Sequence, residues 1–113
     1  LRTFEAPQVF VFTQETETRE ARVHCRAFAP ALGIREDPAT GGASGPLGCY
    51  LLKHGIIAAD ARGEAHCLSE QGFEVGRPSF LRIGITQSHG TITNVQVGGQ
   101  CYLIGEGRLL LDE

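Results

Sequence analysis

The string Glu36-Asp37-Pro38-Ala39-Thr40-Gly41-Gly42-Ala43-Ser44-Gly45, running straight into the apolar stretch Pro46 to Gly55, constrains this chain more than any other segment. It reads as a glycine-rich turn feeding the N-terminus of a helix. A helix start leaves backbone N–H groups without partners and carries partial positive charge, so it attracts anions. Glycine lets a ligand approach the backbone, because no Cβ stands in the way. The following Leu47-Gly48-Cys49-Tyr50-Leu51-Leu52 has no polar stripe before Lys53 and His54, the pattern of a helix enclosed by other elements. Asp37 stands just ahead of the turn, beside whatever the helix start binds.

The rest of the chain is rich in strand patterns. Val9-Phe10-Val11-Phe12-Thr13 has the β-branched and aromatic character of a buried strand. After a polar connection over Gln14 to Glu20, Val23, Cys25 and Ala27 alternate with Arg22, His24 and Arg26, as in a half-buried strand closed by Pro30. Ala31 to Glu36 is expected to be a loop. Gly55 is placed as a helix C-cap. Strands are then expected over Ala65 to Gln71, around Leu81, Ile83 and Ile85, over Thr91 to Val97 with Val95 and Val97 inward, over Cys101 to Ile104, and at Leu109-Leu110-Leu111. Ser88-His89-Gly90 looks like a hairpin turn. Short links favour antiparallel neighbours. The expected fold is therefore α+β, a curved, mostly antiparallel sheet (a partial barrel) wrapped around one central apolar helix.

Length suits one domain over residues 1–113. With 42% hydrophobic and 20% charged residues the composition is globular, and a net charge of −3 offers no basic stripe for nucleic acid. No apolar run reaches the roughly 20 residues of a membrane helix. The chain opens on Leu1 and contains no methionine; a fragment or processed half is expected. Cys25, Cys49, Cys67 and Cys101 form no C-x-x-C pair and read as free, buried thiols of a cytoplasmic protein.

Several residues have two readings. Asp37 before Pro38 suits a turn or a helix cap, or else an acid–base or substrate-orienting carboxylate. Gly41, Gly42 and Gly45 either pack the turn tightly or present N–H groups; no Lys-Ser or Lys-Thr follows as a P-loop needs. The pairs His24-Cys25 and His66-Cys67 bring a metal to mind, but neighbours on a strand face opposite ways and do not share one ion. No metal and no cofactor is expected. His89 reads as a solvated turn residue, and Arg77 as a surface ion-pair partner.

Taken in order, Arg26-Ala27-Phe28-Ala29-Pro30, Gly33-Ile34-Arg35-Glu36-Asp37-Pro38-Ala39-Thr40-Gly41, Gln71-Gly72, Gly76-Arg77-Pro78-Ser79 and Val97-Gly98-Gly99 resemble the PhzF-like isomerases of phenazine biosynthesis. The resemblance covers nearly all of this chain but only the second half of a family member. It implies one lobe of a diaminopimelate epimerase-like fold, whose two lobes enclose the active site between facing helix N-termini. It further implies a cofactor-free proton shift in a small, acidic metabolite, with Asp37 as the second-lobe carboxylate and Thr40, Gly41 and Gly42 binding substrate. Two departures accompany it: Gly42 stands where the family commonly has Ser, with Ser44 nearby but off register, and the first-lobe glutamate has no counterpart. Half an active site is not expected to turn over alone. The expected partners are a small anionic metabolite and either the missing lobe or a second copy. A non-catalytic binding or homo-dimerisation module is the alternative.

Overall fold

The computed structural model describes residues 7–112. Among them, six strands and one long helix follow the order β1 (Val9–Thr13), β2 (Val23–Ala29), β3 (Ile34–Asp37), α1 (Gly41–Lys53), β4 (Glu64–Gln71), β5 (Ser79–Ser88) and β6 (Thr91–Gly98). Short 3-10 turns occupy Pro30–Leu32 and Phe73–Val75. All six strands form one open sheet in the order β1-β2-β4-β5-β6, with β3 also paired to β2. Four pairings are antiparallel. The fifth, β2 with β4, is parallel, because the chain returns to the sheet through β3 and α1 rather than through a tight turn. The architecture is α+β with a mixed, open sheet.

Alternation along the strands builds the core. Val23 and Cys25 on β2, Ala65 on β4, and Ile83 and Ile85 on β5 share one face and pack against Leu47 and Leu51 of α1 and Ile57 beyond it. Burying a side chain such as Leu51 contributes on the order of 1.5–3 kcal/mol. Gly48 decides how closely the helix can lie: a Cβ there would run into the side chains of Ile83 and Ile85. The hairpin between β5 and β6 turns on His89 (φ 51°) and Gly90 (φ 79°), the two left-handed residues of a tight turn. Gly55, at φ 70°, follows the helix end and donates to Leu52 O.

The structure departs from the sequence reading in several places. Gly41 to Gly45 are not a turn ahead of the helix but its opening residues, so Pro46 lies inside the helix. Each glycine weakens a helix by up to about 1 kcal/mol relative to alanine; here the cost is offset by close packing at Gly45 and by anchoring at Thr40. The helix is covered on one side only: Pro46 and Lys53 are exposed and Tyr50 is 48% exposed. The expected loop before Asp37 contains β3. β1 is an edge strand rather than a buried one, with Val11 exposed. Val95 and Val97 face Gly45 on the helix side, as expected, yet both remain exposed because α1 covers the edge strand β6 only in part.

The expected strands at Cys101–Ile104 and Leu109–Leu111 are absent: no regular element is found from residue 99 to 112. Their hydrophobic side chains stand in solvent, Ile104 at 97% exposure. Apolar alternation without a neighbouring strand to bond is not enough to make a strand. Cys101 is likewise exposed rather than buried, while Cys49 and Cys67 are half-buried against the core.

Candidate active site at the helix start

Three chain segments converge on the start of α1. Thr40 is the residue ahead of the first turn. Its hydroxyl donates to Asp37 Oδ2 at 2.6 Å instead of capping the helix. Gln71, fully buried at the end of β4, accepts from the Thr40 N–H at 3.2 Å and donates to Thr40 Oγ1 at 2.9 Å and to the Asp37 carbonyl at 2.8 Å. Gly72 follows at φ +87°, where a Cβ would collide with the carbonyls of Pro38 and Arg77. Only glycine lets the Asp37–Thr40 segment settle onto the end of β4. The strings Glu36–Gly41, Gln71-Gly72 and Gly76–Ser79, far apart in sequence, thus form one cluster.

What this cluster leaves free matters as much as what it ties down. Among the described residues no protein acceptor meets the N–H groups of Gly41, Gly42 and Ala43, and no donor meets Asp37 Oδ1. Gly41 and Gly42 are exposed, with open space wherever a Cβ would stand. Asp37 and Thr40 line a hollow of about 210 Å³ with Ala27, Ala29 and Ile34; Gly41 and Gly42 lie outside it. A larger hollow of about 970 Å³ lies along β4, β5 and β6, but no carboxylate lines it. Ser44 does not stand in for the hydroxyl lost at Gly42. It is completely buried, and its Oγ donates to Thr40 O at 2.7 Å.

A second polar cluster lies on the face of β2 opposite the core. Glu70, fully buried on β4, accepts the N–H groups of Glu17 (2.5 Å) and Thr18 (3.1 Å). His24 Nδ1 lies 3.3 Å from Glu70 Oε1 without hydrogen-bond alignment, and its Nε2 is 2.6 Å from Glu74 Oε2. Arg26 forms a two-pronged pair with Glu36 at 2.7 and 3.1 Å. Burial alone would lower the His24 pKa; its hydrogen bond to Glu74 and the nearby Glu70 carboxylate outweigh that and raise it above the ordinary 6.5. Burial would raise the Glu70 and Glu74 carboxyls, but their hydrogen bonds hold both below 4.5.

The His-Cys pairs divide as strand geometry requires. His24 faces this charged cluster, while Cys25 faces the core with Sγ 3.2 Å from Ser69 Oγ. Burial pushes the Cys25 thiol up to about 11 and also raises Cys67, away from the thiolate a nucleophile or metal ligand needs. Sequence reasoning singled out Asp37, Thr40, Gly41 and Gly42 but assigned nothing to Gln71 or Glu70. A single polar residue inside a strand carries no local signal of what it will meet.

The profile of a family described as "Phenazine biosynthesis-like protein" matches residues 1–107. The chain belongs to this family. It is 32% identical to an uncharacterised isomerase of Clostridium acetobutylicum, over 91% of this chain and 34% of that protein. It is 38% identical to the trans-2,3-dihydro-3-hydroxyanthranilate isomerase of Pseudomonas chlororaphis, over 80% of this chain and 31% of that enzyme. A Bacillus anthracis phenazine biosynthesis protein of the PhzF family shares the fold, with a TM-score of 0.61 and 23% identity over 80% of this chain and 34% of that one. The chain thus spans about a third of the length of the relatives it matches. This phenazine biosynthesis-like chain carries the helix start, Asp37 and Gln71 within the matched region.

Proposed function

We propose that this chain is the second lobe of a PhzF-like isomerase, and that the start of α1 receives the carboxylate of a small acidic metabolite. The reaction is a proton shift without a cofactor. Asp37 orients the substrate or moves its proton; the N–H groups of Gly41 and Gly42, with Thr40, hold substrate oxygen where negative charge develops. The observation that carries this reading is that, among the described residues, an unengaged carboxylate oxygen on Asp37 and unpartnered helix N–H groups flank the same residue, Thr40. In the assembled protein the open sheet curls around α1 as a diaminopimelate epimerase-like lobe, and a glutamate of the first lobe carries the main proton. The free cysteines, Cys101 exposed among them, accord with the reducing conditions of the cytoplasm.

Trans-2,3-dihydro-3-hydroxyanthranilate, on which the Pseudomonas chlororaphis relative acts, is the first compound to try. The chain, alone and combined with a first-lobe polypeptide, is incubated with it in deuterated water and carbon-bound deuterium is measured. Asp37→Asn should lower kcat by roughly 10²- to 10⁴-fold, the range for a lost acid–base group. A variant within a few-fold of the unmodified pair would return Asp37 to a purely structural role. The second reading is a non-catalytic module that dimerises, favoured by the exposed edge strand β6 and the open side of α1. A native mass of twice 12.2 kDa, without deuterium incorporation in any combination, would select it.

A further inference from the structure

We infer that Gln71 is a positioning residue that aims the Thr40 hydroxyl at Asp37; the inference rests on the proposed role of Asp37 and adds the group that sets its hydrogen bonding. The side-chain amide can sit only one way round. Its Oε1 meets the Thr40 N–H, a donor, and its Nε2 meets the Asp37 carbonyl, an acceptor. Turning the amide over would set donor against donor and acceptor against acceptor. With that orientation fixed by two backbone groups, the second Nε2 hydrogen points at Thr40 Oγ1, 2.9 Å away. Thr40 Oγ1 is therefore an acceptor toward Gln71, and its own proton goes to Asp37 Oδ2 at 2.6 Å. The relay runs one way, from amide to hydroxyl to carboxylate.

Two features make the relay rigid. Gln71 is completely buried, so water does not compete for its amide. Gly72 brings the carbonyl of Pro38 down against the end of β4, at a spacing no side chain would permit. One oxygen of Asp37 is thereby committed to Thr40, and Oδ1 is the one left for a ligand.

Gln71→Glu tests the direction of the relay, because a carboxylate accepts where the amide donates. The Thr40 hydroxyl would then turn from Asp37 to the new acceptor. The readout is the NMR signal of the Asp37 side-chain carboxyl carbon at pH 7, in the chain without substrate. Gln71→Glu and Thr40→Val should each move that signal in the same direction, the double variant no further than Thr40→Val alone, and Thr40→Ser should leave it at the wild-type position. An unmoved signal in folded Gln71→Glu overturns the inference. If Gln71→Glu does not fold, Gln71→Met decides: without the amide that sets the hydroxyl's direction the Asp37 signal should move toward its Thr40→Val position, and an unmoved signal overturns the relay. Because this is read without turnover, it is separable from the catalytic reading. A moved signal alongside full activity in Asp37→Asn would keep the relay and discard the catalysis.

Discussion

The two polar clusters use similar groups to opposite ends. Around His24 the charges face each other: two carboxylates bracket one imidazole, Arg26 engages Glu36, and Glu70 also takes two backbone N–H groups. Nearly everything there is answered by the protein itself, and the result ties β2, β4, the 14–20 connection and the Phe73–Val75 turn together. At the start of α1 the wiring stops short. Gln71 and Thr40 are satisfied, but among the described residues one Asp37 oxygen and three helix N–H groups find no partner. Buried polar groups with partners hold a fold; those left unanswered at a surface are what a ligand can use.

The largest contrast lies in stability. Glu70→Leu should cost roughly 2 kcal/mol in urea unfolding, since it removes the acceptor of two part-buried backbone N–H groups and the carboxylate facing the imidazole. A cost below about 1 kcal/mol would mean that the His24 cluster is solvated and not structural. Next comes its pH dependence. A raised His24 pKa contributes stability that is fully present below 6.5 and fades as pH rises through the folded value, while the lowered Glu70 and Glu74 contribute above about 4.5 and fade as pH falls through theirs. The advantage of wild type over His24→Gln should therefore peak between pH 5 and 6, at no more than about 1 kcal/mol, and shrink toward pH 8. An advantage that grows toward pH 8 would reverse the assigned direction. Smaller again is Asp37→Asn, which the comparison requires to alter stability by less than about 1 kcal/mol, mainly through the helix dipole. If it destabilises as much as Glu70→Leu, the two clusters are not different in kind.

How much of this was legible beforehand varies with the range of the interaction. The helix, its Gly55 terminus, the His89-Gly90 hairpin and five strand positions follow from local pattern, and the structure has them. The helix start was placed too late because five residues from Gly41 to Gly45 include three glycines, whose low helix propensity is overridden by anchoring through Thr40, Ser44 and Gln71. Val95 and Val97 do turn toward α1, but strand pattern reports side-chain character and not how far a neighbour covers the sheet edge, which is also why Val9–Thr13 read as buried although Val11 is exposed. At the site, the motif string drew attention to Asp37 and Thr40; Gln71-Gly72 stood in the resemblance too, but the role of Gln71 became visible only when β4 delivered it to Thr40 from 31 positions away in sequence.

The smallest expected effect probes the open half of the comparison most directly. Gly42 lies in the first turn of α1, outside the left-handed region, and a Cβ there would meet nothing within 4 Å. Gly42→Ser should therefore fit without rearrangement. It should stabilise the chain by about 0.5 kcal/mol through helix propensity alone, an upward shift in Tm of roughly 2 to 4 °C for a domain of this size. It also places a hydroxyl beside the unpartnered N–H groups. One added hydrogen bond to a bound carboxylate is worth about 0.5–1.5 kcal/mol, so anthranilate, tested by NMR titration, should bind roughly two- to tenfold more tightly than to wild type. A loss of stability would show that the helix start is more crowded than its geometry allows. Unchanged stability with no gain in anthranilate affinity would place the anion somewhere other than over Gly42.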